Sequence, residues 1–146
     1  MTALDLTKAP PRSPREELRG LCMLPRMIDI ARAMLAGGDV GDYQIGREKS
    51  LSAVVLGAFE MSAPEFVEIV RDARTDNDVA ERLWPAAAIP PQVLSRRLQR
   101  VTVANVPPEL RVEFQRLYGR EHAADRLVFD IIEADDERAF GRKAEG

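Results

Sequence analysis

Three charged residues recur at intervals of three in the segment LPRMIDIARAML, residues 24–35: Arg26, Asp29 and Arg32. On a helix these side chains share one face, and Asp29 comes within reach of both arginines. Two guanidinium groups oriented by a carboxylate could bind an anion, most simply a carboxylate, through paired hydrogen bonds. The same spacing is also typical of a solvated ion-pair ladder on an outer surface, which contributes only roughly 0.3 kcal/mol per pair.

The opposite face of this helix is apolar, which predicts that it packs against a core. Ile30 falls at the edge between the two faces. The apolar face consists of Leu24, Met27, Ile28, Ala31, Met34 and Leu35.

Two neighbouring segments could cover the charged face and turn it into a cleft. PPRSPR, residues 10–15, is stiffened by prolines and is interpreted as an arm that brings Arg12 to the domain, or else as a polyproline ligand. The glycine-containing loop GGDVGDYQIG, residues 37–46, carries Tyr43, which could be a buried anchor, a stacking platform or an acid. In the cleft hypothesis Arg12, Arg26 and Arg32 bind the ligand, while Asp29 acts as a general base and Tyr43 as a hydrogen-bond or proton donor.

The inventory of metal ligands is small. The chain has one histidine, His122, and one cysteine, Cys22, whereas transition-metal sites combine several such ligands. A magnesium site built from carboxylates alone stays open, although no cluster of Asp and Glu indicates one. We otherwise expect no metal and no cofactor, and the reaction class least at odds with the residues is metal-free proton transfer such as isomerisation, elimination or cyclisation.

Composition limits the partners and the compartment. The 146 residues carry a net charge of −3, so no overall positive field favours nucleic acid, and the arginines of SRRLQR, residues 95–100, are interpreted as a solvated or partner-facing surface. No apolar run reaches the roughly 20 residues that a membrane span requires. A single cysteine and no secretory leader predict a cytoplasmic protein without an internal disulfide.

Caps and helical periodicity predict an all-α single domain, residues 1–146, of six to eight short helices. Residues 1–12 are expected to form an extended arm. Ser13 is predicted to cap a helix that pauses near Gly20 and continues to Ala36. The other predicted boundaries are helix caps at Ser50, Ser62 and Thr75, helices after Pro91 and Pro108, a β-like stretch VTVAN at 101–105, a last helix at 121–133, and a charged, fraying tail at 134–146.

The chain resembles a bacterial family of domains of unknown function. DLTKAPPRSPREEL, LPRMIDIARAML and AGGDVGDYQI are similar to that family's DLT-x-x-PPRSPR, LPR-x-IDK-x-RA and GG-x-x-G-x-Y patterns, and the resemblance covers nearly the whole chain. It implies no particular activity, but a recurring pattern favours a site over a solvated ladder. The matching positions are Arg12, Arg15, Arg26, Asp29, Arg32, Gly41 and Tyr43.

Two departures from that family pattern bear on the chemistry. Ile30 stands where the family typically has lysine, and residues 46–50 replace a Gly-Phe-Ser-like element. Ile30 makes the edge of the site drier and less positive, which suits an apolar ligand with a single acidic group.

These observations leave three classes of function open, and the least favoured of them is nucleic-acid binding through SRRLQR. The first is a protein that binds an anionic or carboxylate-bearing small molecule, with or without catalysis by Asp29 and Tyr43. The second is a non-enzymatic protein–protein interaction module, for which a homodimer is one form. A concave pocket that contains the named side chains would favour the first class.

Overall fold

The computed structural model describes residues 4–41, 43, 45–46, 50–118 and 122–141. Within these ranges the chain forms seven α-helices and one small antiparallel hairpin, which confirms the predicted helical fold class. The hairpin pairs β1 with β2, and three 3₁₀ turns (84–86, 103–105 and 108–110) connect helices. The elements are β1 Glu17–Leu18, β2 Leu21–Cys22, α1 Leu24–Leu35, α2 Leu51–Ala58, α3 Ala63–Asp72, α4 Asp76–Leu83, α5 Pro91–Gln99, α6 Arg111–Tyr118 and α7 Val128–Asp136.

The three predicted side-chain caps are all present. Ser50, Ser62 and Thr75 each accept a hydrogen bond from the backbone N–H three residues later, at the starts of α2, α3 and α4. In α3 and α4 the side chain of that third residue also accepts a hydrogen bond from the backbone N–H of the cap residue, which completes a capping box. Local sequence therefore determines where these helices begin.

The prediction of a helix from Ser13 to Ala36 is wrong in its first half. Residues 13–23 form the hairpin, because Arg19, Gly20 and Met23 all have positive φ angles that a right-handed helix cannot contain. The Ser13 hydroxyl donates to a Glu133 carboxylate oxygen at 2.6 Å instead of capping a helix. Helix α1 starts only at Leu24, where proline occupies its first turn without cost.

Two further boundaries are also corrected. The β-like stretch VTVAN forms a 3₁₀ turn, and only Thr102 makes a bridge, to Leu127. The last helix begins at Val128 rather than 121 and extends through Asp136 into a π turn at Glu137–Gly141. Much of the segment predicted to fray is thus ordered helix, while residues 142–146 lie outside the described ranges.

Helix α1 is the centre of the fold. Nine of its twelve residues are buried, and it packs against α3. The prediction for Met34 is wrong, since this side chain near the helix end is exposed. The arm crosses α1 through Leu6, which packs against Ile30 and Ala33. No helix among the described residues has both the length and the apolar character that crossing a bilayer requires.

Two glycines, Gly46 in the turn before α2 and Gly57 within α2, provide a matched test of how tightly this turn packs against α3. Gly46 has φ +78°, and a Cβ built there would lie 2.9 Å from the Ala63 Cβ. We expect Gly46→Ala to lower the free energy of unfolding by about 2 kcal/mol, from left-handed strain and overpacking together. Gly57 lies exposed in α2 with nothing within 4 Å of such a Cβ, so Gly57→Ala should raise it by about 0.5 kcal/mol. Urea unfolding of both variants measures the difference, and equal effects would contradict the packing described for Gly46.

Candidate functional site

The charged face of α1 is buried. Arg26 is 6% exposed and Asp29 is 7% exposed, so the face is not a solvated ladder. The arm covers it from one side and α7 from another. Arg15, three residues after the end of the arm, pairs with Asp130 and Glu133 of α7 and so connects the two covering segments.

Asp29 binds Arg12 rather than the arginines on its own helix. One carboxylate oxygen accepts the Arg12 backbone N–H at 2.9 Å and its Nε–H at 3.0 Å, and the other accepts Nη2–H at 3.0 Å. The carboxylate therefore uses both oxygens to fix the arm on α1. This arrangement makes Asp29 a positioning residue for Arg12.

Asp76, at the start of α4, joins Arg12 to Arg32. Its carboxylate accepts Arg12 Nη1–H at 2.7 Å and Arg32 Nη1–H at 2.8 Å. Burial alone would raise the pKa of Asp76, but the hydrogen bonds and charges of the two arginines outweigh it and hold the pKa below its ordinary value. Burial likewise opposes the charge of Arg12, yet Asp76 and Asp29 raise its pKa.

Arg26 has a different counter-ion, Asp136 at the end of α7. Two Arg26 nitrogens lie 2.7 and 3.3 Å from the Asp136 carboxylate oxygens, and Nη1 also donates to the Arg12 carbonyl at 3.2 Å. Tyr43 completes the cluster, because its hydroxyl donates to Asp136 at 2.8 Å and its ring lies 5.3 Å from the Arg26 guanidinium carbon. Burial and the nearby Asp136 raise the pKa of Tyr43, so its hydroxyl keeps its proton at neutral pH.

A pocket of about 200 Å³ lies next to the cluster of Arg26, Tyr43 and Asp136. Arg26, Ile30 and Tyr43 line one wall, whereas Arg12, Asp29 and Arg32 do not reach it. The structure therefore brings all five predicted site residues into one charged network, and of these five Arg26 and Tyr43 line this pocket. The other lining residues are Met23, Met27, Ser50, Leu51, Ser52, Val101, Asn105, Val106, Pro107, Leu110, Glu113, Phe114, Leu117, Tyr118, Val128 and Ile132.

The pocket is mostly apolar, and its polar lining residues include Arg26, Tyr43, Ser50, Ser52, Asn105 and Glu113. Ser50 and Ser52 belong to the first turn of α2, where backbone N–H groups carry partial positive charge. A negatively charged or hydrogen-bond-accepting group would be stabilised at this end. Among the described residues, no group of three or more histidine, cysteine or acidic side chains is arranged to hold a metal ion.

Sequence reasoning missed the two acids that organise the network. Asp76 directly follows the predicted cap Thr75, and this position alone indicates only a favourable acid at a helix start. Asp136 fell in the segment predicted to fray, although Val128, Ile132 and Asp136 follow one another at four-residue intervals on one face. Extending that buried stripe by one turn would have indicated that Asp136 points inward. Residues 47–49, part of the departure from the family pattern, lie outside the described residues.

Removing the counter-ion of Arg26 should be costly. We expect Asp136→Asn to lower the free energy of unfolding by about 3 kcal/mol, because it leaves a buried guanidinium without a neutralising charge. The neighbouring Asp135 pairs with the exposed Arg138, so Asp135→Asn should change stability by less than about 0.5 kcal/mol. Thermal and urea unfolding of both variants provide the measurement, and similar losses would show that Arg26 does not depend on Asp136.

The ion pairs of Asp76 should appear in the pH dependence of stability. A carboxyl whose folded pKa lies below its unfolded value near 3.8 contributes stability above that value, which is lost as pH falls through the folded pKa. We therefore expect Asp76→Asn to destabilise the protein at neutral pH and to flatten the stability decline below about pH 4. Asp72→Asn, at an exposed position, is the control and should keep the wild-type slope. An unchanged slope in Asp76→Asn would contradict the role of this carboxylate.

Comparison with known proteins agrees with the resemblance described from the sequence. A search among curated proteins finds no significant match to the chain. A family model does match residues 8–138, and this span includes the arm from Lys8 onward, the charged network and every residue that lines the pocket. The chain therefore belongs to the family described as Domain of unknown function (DUF5069).

Proposed function

We propose that this protein binds a small, largely apolar molecule that carries one acidic group. The observation that carries the proposal is the pocket beside Arg26 and Tyr43, which is apolar over most of its surface and has a few polar lining residues. Ligand sites in proteins commonly combine these features, since apolar walls supply affinity and a few polar groups fix orientation.

The polar lining residues Arg26, Ser50 and Ser52 support an acidic head group. Arg26 has five N–H donors, of which three bind Asp136 and the Arg12 carbonyl. The first turn of α2 adds the positive end of a helix dipole at Ser50 and Ser52. Asp136 balances the charge of Arg26. An acidic group would therefore depend on N–H groups of Arg26 other than these three, and on the positive end of α2, rather than on net charge alone.

The apolar remainder of the pocket supports a hydrocarbon or aromatic body. Ile30 is 4% exposed and contributes an apolar surface to the pocket, at the position where the family pattern that the sequence resembles has lysine. Each methylene that leaves water for such a surface contributes about 0.8 kcal/mol. The replacement therefore favours a drier ligand than a lysine-bearing relative would bind.

The geometry favours binding over catalysis. Asp29, the predicted general base, is held by Arg12 away from the pocket. The single O–H of Tyr43 keeps its proton and donates to Asp136, so in this arrangement the phenol offers the pocket neither a free donor nor a base. Metal-free proton transfer remains the alternative, and it would require the Tyr43 O–H to turn from Asp136 to the ligand. The buried thiol of Cys22 is compatible with the reducing cytoplasm that we propose as the compartment.

Native mass spectrometry of protein purified gently from its host tests the proposal. Leu117→Trp should fill the pocket from α6, whereas Val112→Trp adds the same side chain to the same helix at a position that is 80% exposed. We expect wild type and Val112→Trp to carry a small bound mass with an acidic functional group, and Leu117→Trp to lose at least about nine-tenths of it, because the indole occupies the ligand's space.

Other outcomes would contradict the proposal. The same small mass on all three proteins would locate binding outside the pocket. An empty wild-type protein that is dimeric or bound to another protein would favour the interaction module instead.

A further inference from the structure

A second cavity adjoins the pocket. It has a volume of about 320 Å³ and shares Val106 and Phe114 with the pocket as lining residues. Its other walls differ in character, because Arg111, Gln115 and His122 bring polar groups to it. An apolar ligand that extended from the pocket would enter this second cavity past Phe114.

The ring of Phe114 lies between one residue of each cavity. Its centroid is 4.9 Å from that of Tyr118, which lines the pocket, and 6.3 Å from that of His122, which lines the second cavity. The His122 ring meets it nearly edge-on, at 84°. Phe114 therefore lies at the boundary of the two spaces.

The helix that carries Phe114 is loosely held. None of the residues of α6 is buried, although Phe114, Leu117 and Tyr118 face the pocket. Phe114 is thus half-buried and packs against the edge of the core rather than inside it. Removing its ring should join the two cavities without collapsing the fold.

We propose that Phe114 sets the length of the apolar ligand, because its ring ends the pocket and separates it from the second cavity. This inference rests on the proposed function. It assigns Phe114 to specificity, while Arg26 holds the head group. A wild-type ligand therefore ends at the Phe114 ring, and additional carbon atoms gain no buried surface.

A series of straight-chain carboxylates tests this role. Butanoate, hexanoate, octanoate, decanoate, dodecanoate and tetradecanoate, each kept below its micelle concentration, are titrated into wild type, Phe114→Ala and Val112→Ala by calorimetry. In wild type the affinity should rise about fourfold per methylene and then level off once the pocket is full. In Phe114→Ala the rise should continue to a longer acid in the series, whereas Val112→Ala, changed on the same helix at an exposed position, should keep the wild-type limit.

The outcomes separate this inference from the function on which it rests. If wild type and Phe114→Ala level off at the same acid, Phe114 does not separate the two cavities, and the proposed binding function stands. If Val112→Ala shifts the limit as much as Phe114→Ala, the effect belongs to α6 as a whole and the assignment is overturned. If none of the three proteins binds any acid, both the assignment and the proposed function fail. Circular dichroism and thermal unfolding confirm that the variants are folded before titration.

Discussion

The burial of Arg26 is the constraint on which much of this structure depends. A guanidinium removed from water is tolerated only when a counter-ion and hydrogen-bond acceptors replace its hydration. Here Asp136 supplies the charge and the Arg12 carbonyl supplies a further acceptor. Those two partners belong to the arm and to α7, so both segments must lie on α1 before the charge is satisfied.

The same constraint relates the charged network to the pocket. Tyr43 and Arg26 each contact Asp136 on one side and line the pocket on the other. Their orientation is therefore fixed from behind before any ligand arrives, which reduces the entropy lost on binding. Asp29 and Asp76 act one step further back, since they hold Arg12 in the position from which its carbonyl meets Arg26.

Local signals in the sequence predicted much of the fold. Helix caps are short-range features, and Ser50, Ser62 and Thr75 identified three helix starts correctly. The hairpin within residues 13–23 was missed because Ser13-Pro14-Arg15-Glu16 has the composition of a helix start. In addition, Arg19 and Met23 have positive φ, which cannot be predicted from the identity of a non-glycine residue. Tertiary packing there overrides local propensity.

Long-range pairing explains what could be predicted of the candidate site. Type and spacing identified Arg26, Asp29 and Arg32 as a set. Arg12 of the arm does bind Asp29, and the ring of Tyr43 does lie against Arg26. Their actual partners, Asp76 and Asp136, are 44 residues from Arg32 and 110 residues from Arg26. No spacing rule within one helix contains that information. The pocket itself arises where α1, α2, α6 and α7 meet, so it has no signature in any single segment.

The separation between Arg26 and Asp136 also matters while the chain is being made. Helix α1 leaves the ribosome long before its counter-ion is synthesised, because 110 residues separate the two. During that interval its apolar side chains favour collapse, whereas its guanidinium and Asp29 favour water. The nascent chain therefore cannot complete the centre of its fold from the N-terminal half. Helix α1 can pack on α3 earlier, but its charged face becomes native only after α7, the last of these helices to be translated, has emerged.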